Sequence, residues 1–545
     1  MRKRLISALA IALILTVAGC GGNSSKEAST KNDKGEAKQV FHVAIGSELP
    51  TADVSLAMDN VSVEAMSQFM EGLYEFDVNG DVQPALAAEI AKPSKDGLVY
   101  TIKLKEDGKW SNGDNVTAKD FVYSWQRTVD PATAAEQSYY FEGIKNYEAI
   151  AKGELPPTEL GIKAVNDYEL ELTLEHPIPY INSLIAIPAF FPMNQKFVEE
   201  QGDKFGTSSE TTLSNGPFTL EDWNGTSMSW KYVKNDQYRE KDEVDLDEVQ
   251  MQVIKETSSG INLFKDGQLD DLVISGEFVA HEQDNEALQI REMPGTYYIS
   301  YNTKKEILSN LKAREAISLV IDSDQIAKNV LNDGSKKATG FVPFGFTNAD
   351  NGEDFAEDAG ELTKTDVKKA KALWAEAKEE LGIDGGDITI LASDIDSSKK
   401  VSEYLQGVIS ENLDGLTVKV NAVPFKNRLE RSRSGDFDIV LGGWTPVYAD
   451  PIDFLNLFKS SNSNNFGKWS DPEYDKLLKE ASEDYALDNQ KRWDSMLKAQ
   501  ELLFTEHPVT PLYQISEVHL VNPKVKGLEL GPLGSPYYKK VSITE

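Results

Sequence analysis

Apolar and polar positions along the chain switch repeatedly between two periods. Val63, Met66, Phe69, Met70 and Leu73 recur at the spacing of one helix face and predict a helix. Leu98, Tyr100, Ile102 and Leu104 alternate with Val99, Thr101 and Lys103, and Tyr168, Leu170, Leu172 and Leu174 alternate with Glu169, Glu171 and Thr173; both stretches predict strands. Helix starts are marked by a short polar residue with an acid or amide three positions on. Thr117 with Asp120 precedes Phe121, Val122 and Trp125, and Asp322 with Gln325 precedes Ile326 and Val330. Thr363 with Asp366 precedes Val367, Ala370 and Trp374, and Leu381-Gly382 predicts that helix's end. Ser470 with Glu473 precedes Tyr474, Leu477 and Leu478, with Pro472 tolerated in the first turn. The acidic stretch 348–365 predicts a surface loop and 382–387 a turn-rich join. Strands mixed irregularly with helices, without repeat or heptad, indicate an α/β protein.

One segment breaks this rhythm. Arg2, Lys3 and Arg4 precede an uncharged, mostly apolar run from Leu5 to Ala18, which is shorter than the ~20 residues of a membrane span. A basic start, a short apolar core and small residues after it describe an export signal. The run closes with Val17-Ala18-Gly19-Cys20, which resembles the bacterial lipobox. That resemblance implies a signal peptide over residues 1–19 and a diacylglycerol anchor on Cys20. Cys20 is the only cysteine of the chain, so no intramolecular disulfide can form. Residues 20–39, rich in Gly, Ser, Asn and Lys, read as a flexible tether.

Composition narrows the function. The 545 residues suffice for several domains, and the net charge of −33 disfavours nucleic acid and anionic lipid headgroups. That charge does not by itself specify a cationic ligand, because acidity also keeps a surface protein soluble. The five histidines stand at no metal-ligand spacing, and no GxxxxGKS/T or GxSxG motif occurs. Gly442-Gly443 after the apparent strand 437–441 is a weak phosphate signal. Asp270-Asp271 reads as a solvated acidic face. These readings expect no cofactor, no metal and no catalytic residues.

The segment from Ala87 to Arg127 carries a more specific pattern: strand Leu98–Leu104, the turn Gly108-Lys109-Trp110-Ser111-Asn112-Gly113-Asp114, then Val116-Thr117-Ala118-Lys119-Asp120-Phe121. It resembles the signature of the family-5 extracellular solute-binding proteins. Met70-Glu71-Gly72-Leu73-Tyr74, Ser214-Asn215-Gly216-Pro217-Phe218, Phe264–Asp270, Tyr301-Asn302-Thr303 and Gly443-Trp444 with Tyr448 and Asp450-Pro451 match further family segments in order. The resemblance implies a two-lobed periplasmic-binding-protein-like fold of type II (cluster C) with an extra domain in the first lobe. Lobe I would comprise 40–80, 205–297 and 513–545, the inserted domain 81–204 and lobe II 298–512. It also implies a monomeric, non-enzymatic, lipid-anchored extracytoplasmic receptor that binds oligopeptides between its lobes and delivers them to an ABC permease.

Peptide-binding members place an Asp after the cleft Trp, in a pattern close to W-x-x-D-Y-x-D-P. Here Trp444-Thr445-Pro446-Val447-Tyr448-Ala449-Asp450-Pro451 puts Val447 at that position, and valine cannot neutralise an ammonium. In order of preference, another carboxylate reaches the amine, the ligand's N-terminus lies elsewhere or is blocked, or the ligand is not a peptide. Candidate ligand-binding residues are Trp444, Thr445, Val447 and Tyr448, with Ser47, Glu48, Tyr298 and Asn302 as weaker candidates. Competing expectations are a receptor for a signalling, pheromone-like peptide, a receptor for a non-peptide solute, and a hydrolase or chaperone on the same fold.

Overall fold

The computed structural model describes residues 38–348, 350–531 and 536–544. The proposed signal peptide, Cys20 and nearly all of the tether lie outside these residues.

Strand β1 (Val40–Ile45) and helix α1 (Asn60–Phe69) open the fold. A three-stranded antiparallel sheet follows from β2 (Val99–Lys103), β3 (Ile162–Asn166) and β4 (Glu169–Thr173), with α2 (Ala118–Val129) between β2 and β3 in sequence. Then come β5 (Phe218–Glu221), β6 (Ser229–Lys234), β7 (Glu248–Val253), β8 (Asp271–Ile274) and β9 (Leu288–Tyr301). The rest contributes α3 (Val367–Leu381), β10 (Gly386–Ser393), α4 (Asp396–Asn412), β11 (Leu416–Val423), α5 (Phe425–Ser434), β12 (Ile439–Trp444), α6 (Pro472–Lys479), α7 (Asn489–Glu506) and β13 (Val509–Val521).

One mixed sheet runs β11-β10-β12-β9-β13-β8-β1-β7-β6-β5, with the short strand Lys336–Lys337 also on β13. β1 is parallel to β7 and β8, and β10 is parallel to β11 and β12. The two halves are therefore α/β units joined through the antiparallel pair β9–β13. One end of that pair, Leu288–Glu292 against Leu520–Ser516, lies beside β8; the other, Thr296–Ser300 against Gln514–Val509, lies beside β12. Its register shifts between Glu292 and Thr296 and again between Tyr297 and Tyr298. Pro294 falls within the first shift and Pro511 faces the second, and proline offers the ladder no N–H. The two strands that cross between lobes are thus interrupted where they cross.

The helix starts follow local capping chemistry. Thr117 and Asp120 form the expected capping box, with the Asp120 carboxylate accepting from the Thr117 N–H at 2.7 Å. Helix α3 starts three residues later than Thr363 predicts, because Asp366 itself caps it by accepting from the Lys369 N–H. Helix α6 is capped by Asp471 rather than Ser470, one residue before Pro472. The stretch 348–365 is not all loop. Asp354 caps a short helix, Phe355–Ala359, and Phe355 is buried edge-on against Trp493, with centroids 4.9 Å apart.

Two family-like segments prove to be partners. The Asn215 amide donates to the Glu71 carbonyl at 2.8 Å and accepts from the Glu71 N–H at 3.0 Å. The Gly216 N–H donates to the Phe69 carbonyl, and a Cβ on Gly216 would lie 2.7 Å from the Met70 nitrogen. The turn 214–218 thereby locks the chain leaving α1.

Candidate functional site

The two halves enclose a cavity of about 410 Å³, within the range of small-ligand sites. The first half lines it with the end of β1, the start of α1 and β8. The second half contributes the start of α4, helix α5 and the end of β12, while β9 and β13 form the floor. Contacts close it on more than one side. Lys255 binds Asp394 at 2.8 Å, Arg433 binds Glu136 at 2.6 Å and Lys459 binds Glu142 at 2.5 Å. The Asp396 carboxylate accepts from the Thr257 N–H at 2.9 Å. Tyr180 stacks on Tyr448 with centroids 4.8 Å apart, and the Arg492 guanidinium covers the Tyr180 ring while pairing with Asp450.

Of the residues expected from sequence, Ser47, Tyr298, Trp444 and Thr445 stand on the cavity wall. The Trp444 Nε1–H donates to Asp453, and the Thr445 hydroxyl accepts from the Asn60 amide across the cleft. Glu48 lies behind the wall between the halves, accepting from the Lys426 N–H and facing Lys255 at 3.6 Å. Asn302 is buried and donates to the Gly435 and Phe437 carbonyls, which fixes the loop before β12. Tyr448 is buried in the closure stack with Tyr180. Val447 packs against the core, and its N–H donates to Asp453 at 3.0 Å.

Asp453 is a group the sequence reading missed. It is buried, and one carboxylate oxygen has no hydrogen-bond partner among the described residues. Burial pushes its pKa up to about 7 against the opposing pull of the Val447 N–H and the Trp444 Nε1–H.

A second missed group is the charged floor. His519 Nδ1 lies 2.8 Å from Asp271 and its Nε2 lies 3.6 Å from Glu517, which also binds Arg291 at 3.0 Å. Asp271 is therefore not part of a solvated face. It is buried and paired, and Asp270 beside it is held by the His42 N–H and the Asn522 amide. Burial works against charge on His519, yet Asp271 and Glu517 outweigh it and raise its pKa to about 10. Burial likewise opposes the Glu517 carboxylate, but His519 and Arg291 hold its pKa at about 2. Glu64, on α1 and bonded to the Tyr538 hydroxyl, is pushed up to about 7 by burial and by Glu517. The period-two spacing of Glu517 and His519, which puts both on one face of β13, was the available sequence signal.

The cavity thus holds fixed charges of both signs, most of them bound to one another. His519 keeps its proton and so has no lone pair to lend as a general base. Such a site recognises and encloses a solute, and a two-lobed α/β molecule built around it is of the solute-binding class.

Residues 81–466 match the family model of bacterial extracellular solute-binding proteins, family 5 Middle. The chain belongs to this family. A dipeptide-binding protein of Lactococcus lactis subsp. cremoris is 35% identical over 98% of this chain and 97% of its own length. The substrate-binding domain of an oligopeptide ABC transporter from Bacillus anthracis superimposes with a TM-score of 0.90 at 44% identity, over 93% of this chain and 99% of that one. The pheromone receptor PrgZ, solved for its mode of peptide binding, gives a TM-score of 0.90 at 35% identity, over 93% of this chain and 100% of that one.

Proposed function

We propose that this protein is a non-enzymatic receptor that encloses oligopeptides between its lobes and hands them to the permease of an ABC importer. The observation that carries this reading is the closed interlobe cavity with fixed charges of both signs, in a chain whose similar proteins bind dipeptides, oligopeptides and a peptide pheromone. An extended peptide suits such a cavity, because its backbone pairs with protein whatever its side chains are. With Val447 in the usual acid's place, the ligand's amine is met by another carboxylate; Asp59 and Glu64 stand on the cavity wall for this role. Closure on the ligand needs no chemical step, only tighter binding in the closed state. The receptor acts as a monomer, with the lobe limits given above.

The calorimetric test titrates the chain from residue 39 onward with a synthetic pool of tri- to pentapeptides, and separately with free amino acids and sugars. Saturable heat from the peptide pool alone supports the reading. Heat from the small solutes alone contradicts it.

The similarity to PrgZ favours one further reading, a receptor for a signalling peptide. Retention of a single peptide from the same pool under competition supports it. The anchor is a separate proposal: Cys20 carries lipid and holds the protein at the outer face of the membrane. Cells fed labelled palmitate should label the wild type, whereas Cys20→Ala should lose the label and appear in the medium. An unlabelled wild type contradicts the anchor.

A further inference from the structure

Arg428 is a cation on the cavity wall that no carboxylate of the described residues answers. It lies on α5 with its guanidinium carbon 5.1 Å from the centre of the Phe425 ring. Its Nε is buried without a hydrogen-bond partner among the described residues, and no carboxylate oxygen among them comes within 4.0 Å of its nitrogens. The other two arginines of the cavity are engaged. Arg291 binds Glu517 and the Gly531 carbonyl, and Arg433 binds Glu136. The carboxylate that acts on Arg428 from a distance is Asp59 of the opposite half, which accepts from the Ser62 N–H. Burial holds the Arg428 pKa below its usual value, as expected for a charge lacking a partner. Arg428 as a whole is half-buried, but its Nε is sealed from solvent, and a guanidinium so placed without a partner is costly unless something else completes it.

The local sequence keeps this place open. A Cβ on Gly442 would lie 3.2 Å from Arg428 Nη1, and a Cβ on Gly443 would lie 2.5 Å from the Tyr297 ring. Residues 442 and 443 sit on β12 opposite Tyr298 and Tyr297 of β9, at the cavity wall. The two glycines leave β12 bare on opposite faces, so that the guanidinium can lie against one and the Tyr297 ring against the other. This accounts for the glycine pair without a phosphate.

We propose that Arg428 receives a carboxylate of the bound peptide. The inference rests on the peptide reading above and adds to it the chemistry that this half of the cavity selects. A guanidinium offers a planar fork of donors matched to a carboxylate. Two groups of a peptide supply one, the C-terminus and an acidic side chain.

Equilibrium dialysis of the full chain in detergent against three tetrapeptide pools built from Gly, Ala, Ser and Leu tests this. One pool has free C-termini, one has C-terminal amides, and one has C-terminal amides with a single Glu. The wild type should retain the free-acid pool at least about tenfold better than the plain amides. Retention of the Glu-containing amides at the level of the free acids assigns the side chain as a sufficient source; retention at the level of the plain amides assigns the C-terminus. Arg428→Met should abolish the preference, bringing retention of the free acids down to that of the plain amides by the same variant, and Arg428→Lys should keep part of it. Equal retention of free acids and plain amides by the wild type overturns the inference and leaves peptide binding standing, whether or not the variants fold. Retention of no pool overturns both.

Discussion

Glu64 is the side chain whose titration most directly tests the electrostatics of the cavity. Its pKa is raised from 4.5 to about 7, so between those values the folded protein holds a proton that the unfolded chain has released. Stability from this group therefore falls as pH rises through that window. His519, raised from 6.5 to about 10, acts in the same direction at higher pH, its contribution being complete below 6.5 and lost as pH rises through 10. In calorimetric melts, Glu64→Gln should show a smaller drop in Tm between pH 5 and 7 than the wild type, with an unchanged slope above pH 8. An equal drop in both proteins would remove Glu64 from the account. Some residues at this scale were legible and others were not. Trp444 and Thr445 could be placed on the cavity wall through the pattern around them. The Asp271–His519 pair could not, because its members are 248 residues apart and only the fold brings them together, and nothing in the sequence marks Asp453 as buried or the Arg428 Nε as sealed from solvent. Asp270-Asp271 shows why adjacency misleads: neighbours on a strand face opposite ways and meet different partners.

Among the elements, those with strict periodicity were read well, since each satisfies its own backbone and buries one face. Strands β2 and β4 fall within a residue of the alternating runs that predict them, and α2 starts at its capping box. Caps were displaced where two polar residues competed, as at Ser470 and Asp471, because the carboxylate beside Pro472 reaches two N–H groups of the first turn. The buried helix Phe355–Ala359 was hidden by acidic neighbours that carry no apolar period. The turn 214–218 makes a sharp prediction. Asn215→Ala removes two hydrogen bonds to the Glu71 backbone and should cost about 2–4 kcal/mol in denaturant unfolding. Asn215→Asp keeps the acceptor but sets a buried carboxylate oxygen against the Glu71 carbonyl, and should cost at least as much as the alanine. A cost below about 0.5 kcal/mol for the alanine would show that the turn does not lock the chain leaving α1.

For the whole molecule, the sheet order places β9 and β13 across both lobes, with their pairing interrupted beside Pro294 and Pro511. The sequence could not show this order, since β1 pairs with strands more than 200 residues away. The closed state is held by Lys255–Asp394, Arg433–Glu136 and Lys459–Glu142 together with the Tyr180–Tyr448 stack. Partly exposed pairs are each worth about 0.5 kcal/mol. Replacing Lys255, Arg433 and Lys459 by Ala together should weaken peptide affinity about tenfold. The same variant should enlarge the radius of gyration in solution scattering without changing the circular dichroism. Unchanged affinity and scattering would show that these pairs do not hold the lobes together.

Whether the interlobe cavity holds peptides is decided by native mass spectrometry of the protein purified gently from its own cells. Bound species should have masses that resolve to short peptides, and their release should leave the protein able to rebind them. A protein that carries a sugar, metal chelate or other small molecule instead, and ignores added peptides, would contradict the peptide reading.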